Sequence, residues 1–156
     1  MATLVPMDEE DYQHYLEHAA KDYALEKVRS GAWTEDEALK RSEEAFQSLL
    51  PDGMATADTL LFRIEDAEKA EKVGYLWLHE RNSPTGRAFF IYDFLIFEPS
   101  QGKGYGKQAM AALDEKAKEL GIAQISLHVF GHNTRAIRLY EKSGYKVTDL
   151  SMSKAL

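Results

Sequence analysis

Residues 88–120 constrain the fold of this chain more than any other stretch. Residues 88–97 carry one charge, Asp93, and are otherwise almost wholly apolar. A run that is apolar on both alternating faces reads as a central strand rather than an edge. Residues 107–120 place Met110, Leu113, Ala117 and Leu120 at helical spacing. Between the two lies Gln101-Gly102-Lys103-Gly104-Tyr105-Gly106. Strand, glycine-rich turn and helix in that order make an anion cradle. Glycine permits the tight bend and the close backbone approach. The free N–H groups of the helix start then face the anion, and the helix dipole adds to the attraction. Rival glycine motifs do not fit. No Gly-x-x-x-x-Gly-Lys-Ser/Thr string occurs, and Gly102, Gly104 and Gly106 alternate where a dinucleotide fingerprint needs Gly-x-Gly-x-x-Gly. An ordinary turn does not need three alternating glycines.

The flanks supply the other elements. Asp8 or Asp11 can cap a first helix, on which Tyr12, Leu16, Ala19 and Tyr23 share a side before Gly31 stops it. Thr34-Glu35-Asp36-Glu37 reads as a capping box for a second helix that ends at Pro51. Leu60, Phe62 and Ile64 alternate as a strand, and residues 73–80 form the next. Residues 82–86 are a loop. Gly121 suits the end of the helix after the glycine turn. Residues 124–130 read as a buried strand, Asn133 as the cap of a short helix closed by Gly144, and residues 145–148 and 152–155 as short final strands. This order predicts an α/β (α+β) domain over residues 1–156, with a mixed, mostly antiparallel central sheet flanked by helices.

Composition narrows the function. A net charge of −7 argues against non-specific nucleic-acid binding. No apolar run approaches the roughly 20 residues that span a bilayer, and the N-terminus lacks the basic and apolar regions of a signal peptide. The expectation is a cytoplasmic protein with no membrane partner. There is no cysteine, hence no disulfide, thiolate metal site or thiol nucleophile. His128 and His132 fall on a strand and the loop after it, not on one helix face, so no metal site is expected.

A second ordered cluster follows the glycine turn: Asn133-x-x-Ala136-x-x-Leu139-Tyr140-x-x-x-Gly144-Tyr145. Gln101, Gly104 and Gly106 match the pattern Arg/Gln-x-x-Gly-x-Gly/Ala, with Pro99 just before it. With both clusters in this order and context, the chain resembles the GNAT acetyltransferase superfamily over nearly its whole length. It further resembles a small bacterial subgroup of these enzymes. The resemblance implies the GNAT fold and acetyl-CoA as co-substrate. The pyrophosphate would lie on the backbone of Gly102, Lys103, Gly104, Tyr105, Gly106 and Lys107, beside Gln101. Gln101 departs from the commoner Arg and removes a fixed charge, which Lys103 and Lys107 can offset. Leu95, Ile96 and Phe97 would hydrogen-bond the pantetheine arm like an added strand. Asn133, Ala136 and Tyr140 would face the cofactor from one side of their helix.

The resemblance also implies acetyl transfer to a primary amine of a small molecule or peptide, by direct attack in a ternary complex. Tyr140 is the candidate acid for the leaving thiolate, with a packed core tyrosine as the plainer alternative. Asp93 is the candidate base, directly or through water. A lone carboxylate in an apolar strand is costly to bury, and burial would raise its pKa. Its plainer alternative is a structural acceptor or substrate anchor. Tyr12, Tyr15, Tyr23, Trp33, Trp77 and His79 could line an acceptor pocket or pack in the core. The acidic balance leans slightly to polyamine-like acceptors. A non-catalytic CoA-binding or sensing protein is the alternative function, and a homodimer is possible by family analogy.

Overall fold

The computed structural model describes residues 1–156. Five strands form one sheet in chain order: β1 (Ala2–Pro6), β2 (Thr59–Asp66), β3 (Glu71–Ser83), β4 (Gly86–Ile96) and β5 (Gln124–Leu127). Neighbours from β1 to β4 run antiparallel, and β4 pairs with β5 in parallel. A parallel pair needs a crossover, which α3 (Tyr105–Glu119) supplies. The helices α1 (Glu9–Arg29) and α2 (Glu35–Leu49) cover one face, while α3 and α4 (Thr134–Lys142) cover the other.

Period-two alternation on β3 builds both cores. Leu76 and Leu78 pack toward α3 with Phe89, Met110 and Leu113. Tyr75 and Trp77 pack toward α1 with Tyr12 and Tyr15. On β4 the alternation is broken once. Trp77 pairs with Asp93 and Leu78 with Ile91, which leaves Tyr92 as an extra, bulged residue. Before the bulge the odd-numbered Phe89 and Ile91 face α3; after it the even-numbered Phe94 and Ile96 do. One inserted residue moves every following side chain to the other face. Without the bulge, Asp93 would point into the α3 core.

Four expectations are corrected. β1 was not foreseen; it is a five-residue edge strand ended by Pro6. The capping box forms on α1, where Asp8 Oδ1 accepts from Asp11 N–H at 2.8 Å and Asp11 Oδ2 from Asp8 N–H at 3.0 Å. Thr34 precedes α2 without a side-chain cap bond. β5 stops at Leu127 rather than at residue 130. Residues 145–156 form no strands; they gain no sheet partner, and Val147, Leu150 and Met152 stay exposed. A short apolar pattern does not make a strand without neighbours to pack against.

Candidate active site

β5 pairs with β4 only from Ala88 to Ile91. Beyond Ile91, at the bulge, the two strands part. The opening is a cavity of about 1180 Å³ that runs between them and under α1 and α2. The glycine turn and α4 stand at one end of it, and aromatic residues of α1, α2, β3 and β4 at the other.

At the glycine end, Gly102 and Gly104 hold φ of 77° and 86°, a region that side chains with a Cβ rarely adopt. Gly106 is required for a different reason: a Cβ there would lie 3.2 Å from Leu139, so it lets α3 approach α4. The Tyr105 side chain turns into the core and donates to Asp66, leaving its main chain to the turn. Lys103 is exposed and does not line the cavity, whereas Lys107 does. Gln101 spans the gap. Its Nε2 donates to the Ile96 carbonyl at 2.9 Å, and its Oε1 accepts from Arg135 Nη1 at 2.9 Å. Lys107, Arg135, Arg138 and Lys142 all line the cavity, and none is ion-paired with a carboxylate. Unpaired cations beside a left-handed glycine turn at a helix start suit a polyphosphate.

The open edge of β4 is narrower than its sequence suggested. Phe97 N–H already donates to the Val73 carbonyl at 2.8 Å, and the Phe97 ring packs on Tyr75 at 5.2 Å. Backbone groups alternate sides along a strand, so Leu95 also faces β3. Phe94 and Ile96 are the residues whose peptide groups turn to the cavity. Asn133 caps α4 as its position predicted, with Oδ1 accepting from Ala136 N–H at 3.2 Å, and both residues border the cavity.

Asp93 and Tyr140 line the same cavity from opposite walls. The Tyr15 hydroxyl donates to Asp93 Oδ2 at 2.7 Å. Burial raises the Asp93 pKa, against the lowering effect of the Tyr15 bond and the Phe94 N–H; the nearby Asp22 charge adds to the rise. The Tyr140 hydroxyl makes no hydrogen bond within the protein, and its ring leans on Phe94 and Tyr145 at 6.4 and 5.7 Å. Burial, then the Asp93 charge, pushes its pKa up to about 12. It is therefore a held proton at neutral pH.

Sequence reasoning brought Asp93, Tyr140, Asn133 and the glycine turn together, and the structure does the same. It missed Arg135 as the partner of Gln101 and Tyr15 as the partner of Asp93. Tyr15 was legible only as one of several aromatics on the buried side of α1, one turn before Ala19. Of the six aromatic and polar candidates, Tyr23 and Trp77 line the cavity. Tyr12 and Tyr15 are core.

The acetyltransferase (GNAT) family model matches residues 22–145. The uncharacterized N-acetyltransferase YycN of Bacillus subtilis is 45% identical over 153 residues, 98% of this chain and 97% of that one. The YycN crystal structure superposes with a TM-score of 0.94 over 100% of this chain and 99% of that one. A second uncharacterized N-acetyltransferase of the same organism, YdgE, is 36% identical over 154 residues, 99% of this chain and 98% of that one. A predicted acetyltransferase from Clostridium acetobutylicum, solved with acetyl-CoA, shares the fold at a TM-score of 0.61 and 19% identity, over 99% of this chain and 96% of that one. A match this long, to relatives this close, makes the chain a member of the acetyltransferase (GNAT) family.

Proposed function

We propose that the protein transfers an acetyl group from acetyl-CoA to a primary amine of a small molecule or peptide, by direct attack in a ternary complex. One observation carries this: the β4–β5 opening holds the glycine turn, Asp93 and Tyr140 in a single cavity. The Clostridium protein of the same fold was solved with acetyl-CoA, which supports that co-substrate here.

Bound acetyl-CoA supplies the thioester. Gly102 to Lys107 and Arg135 hold its phosphates, and the cavity-facing backbone of Phe94 and Ile96 orients the arm that reaches inward, with the Ile96 carbonyl already bonded to Gln101. The amine nitrogen bonds to the acetyl carbon as the carbon–sulfur bond breaks. Asp93, directly or through one water, takes the proton that nitrogen loses. Its raised pKa makes it a better base than an exposed aspartate. Tyr140 gives its proton to the departing sulfur. Tyr15 fixes the Asp93 carboxylate and is a positioning residue.

Calorimetric titration with acetyl-CoA, and separately with ATP and NAD, tests the cofactor. Thiol release in the presence of amines then tests the transfer. Binding of acetyl-CoA alone followed by amine-dependent release supports the proposal. Binding without release from any amine leaves a CoA-binding protein that does not catalyse, and no acetyl-CoA binding sinks the assignment.

A further inference from the structure

The cavity end opposite the glycine turn is walled by six aromatic rings: Tyr23, Phe46, Trp77, Phe90, Tyr92 and Phe130. They form one connected chain. Centroids lie 6.5 Å apart for Phe130 and Tyr23, 6.1 Å for Tyr23 and Phe46, and 5.6 Å for Phe46 and Trp77. The chain continues at 4.8 Å from Trp77 to Tyr92 and 5.0 Å from Tyr92 to Phe90. Trp77 is buried, but the other five are only half-buried. Large rings left half-covered around a void are not finished core. Water against such a wall is displaced favourably by a flat apolar ligand.

Lys27 disfavours a second ammonium against the rings, although Asp22 at this end has no ion-pair partner. Three carboxylates border the wall: Asp22, Glu26 and Asp93. Glu26 is engaged by His132 at 2.5 Å and lies 3.8 Å from Arg29. Asp93 is held by Tyr15. The faces of Tyr23 and Phe130 already carry a cation, because Lys27 Nζ sits 5.6 and 5.9 Å from their centroids. The distal ammonium of a linear polyamine would meet Lys27 on that wall. A single amine near Asp93 with an uncharged ring behind it meets no such repulsion.

We infer that the acceptor is a monoamine bearing one aromatic or similarly flat apolar body on a short chain, and that the six-ring wall selects it over linear polyamines. This builds on the acetyl-transfer reading above, since it names the acceptor of that same site.

The test uses the full chain and four probes: 2-phenylethylamine, n-butylamine, putrescine and spermidine. Affinity is read by calorimetry with and without CoA present, so pocket preference is measured even where no acetyl moves. Phenylethylamine is expected to bind about tenfold more tightly than butylamine, and more tightly than both polyamines. Phe46→Leu on α2 and Tyr92→Leu on β4 should each lower the phenylethylamine-to-butylamine ratio by about threefold or more. Their acetyl-CoA affinity should match that of the unaltered protein, which reports that they fold. Equal or tighter binding of spermidine or putrescine overturns the inference. So does a ratio that neither variant changes, or no measurable binding of phenylethylamine. If acetyl-CoA itself fails to bind, the acetyl-transfer reading falls, while the ring preference is still judged from the amine titrations.

Discussion

Arg135 Nη1 donates to Gln101 Oε1 at 2.9 Å, across the gap between α4 and the strand–turn junction. Position 101 is where the family pattern commonly places an arginine. Here the guanidinium comes from α4, seated on the glutamine that stands in that place. Arg135→Gln should weaken acetyl-CoA binding about tenfold at low ionic strength and less at high salt, because a partly exposed charge is screened. Adding Gln101→Arg to that variant should recover most of the loss. Titrations at two salt concentrations check both, and an unaltered affinity in Arg135→Gln would remove the residue from the phosphate site.

Tyr140→Phe removes the candidate acid and leaves the ring that packs on Phe94. Turnover should fall by a factor of about 10² to 10⁴, with acetyl-CoA affinity near that of the unaltered protein. Survival of turnover would assign the proton to another group or to water.

The Tyr15–Asp93 bond sets the acid limb of the pH profile. Asp93 must be ionised to act as base, and its pKa lies above the ordinary carboxylate value. Activity should therefore fall with acidification at a higher pH than an exposed aspartate would give. The Tyr15 hydroxyl favours the ionised form, so Tyr15→Phe should move that limb to still higher pH. Asp93→Asn should abolish it along with most of the activity. Profiles of kcat/KM against pH for the three proteins read this directly.

Gly104 offers a way to separate backbone strain from blocked space. A Cβ there would meet only Gln108 Nε2, at 3.7 Å, so no protein atom blocks it. The φ of 86° is the constraint. The backbone conformation alone therefore disfavours a branched residue here, whatever space a bound phosphate leaves. Gly104→Asn should then keep more acetyl-CoA affinity than Gly104→Val, since asparagine tolerates the left-handed region far better than valine. Equal losses would restore the blocking explanation.

Asp11 gives the fold a pH dependence apart from catalysis. Burial alone would raise its pKa, but Lys72, the Asp8 N–H and Arg63 outweigh that and hold it at about 2. A carboxyl more acidic when folded than when unfolded stabilises fully above its unfolded pKa. That stability is lost as the pH falls from about 4 through about 2, on the order of 2 kcal/mol in total. Urea unfolding across this range should show a smaller loss in Asp11→Asn, which starts from a lower stability at neutral pH.

Much of this was legible in local sequence. The β4–turn–α3 unit declares itself through burial pattern and glycine spacing, and Asn133 through capping chemistry. The missing parts depend on partners far along the chain. The edge strand β1 exists because β2, some sixty residues later, offers it a register. Residues 145–155 alternate well enough for strands but find no such partner. The direction of Asp93 could not be read from period two, because the bulge at Tyr92 reverses it, and a bulge is visible only once β3 is laid alongside. Arg135 and Tyr15 were hidden for the same reason, since each acts on a residue in another element.

The parting of β4 from β5 also leaves an unpaired strand edge inside the molecule. Such edges are templates for another chain. A cofactor arm that covers this one would do more than deliver an acetyl group, because it would also shield the protein from itself. Warmed without acetyl-CoA, the protein is expected to self-associate sooner than when loaded, so that storage life depends on the co-substrate, and light scattering on heating would record the difference.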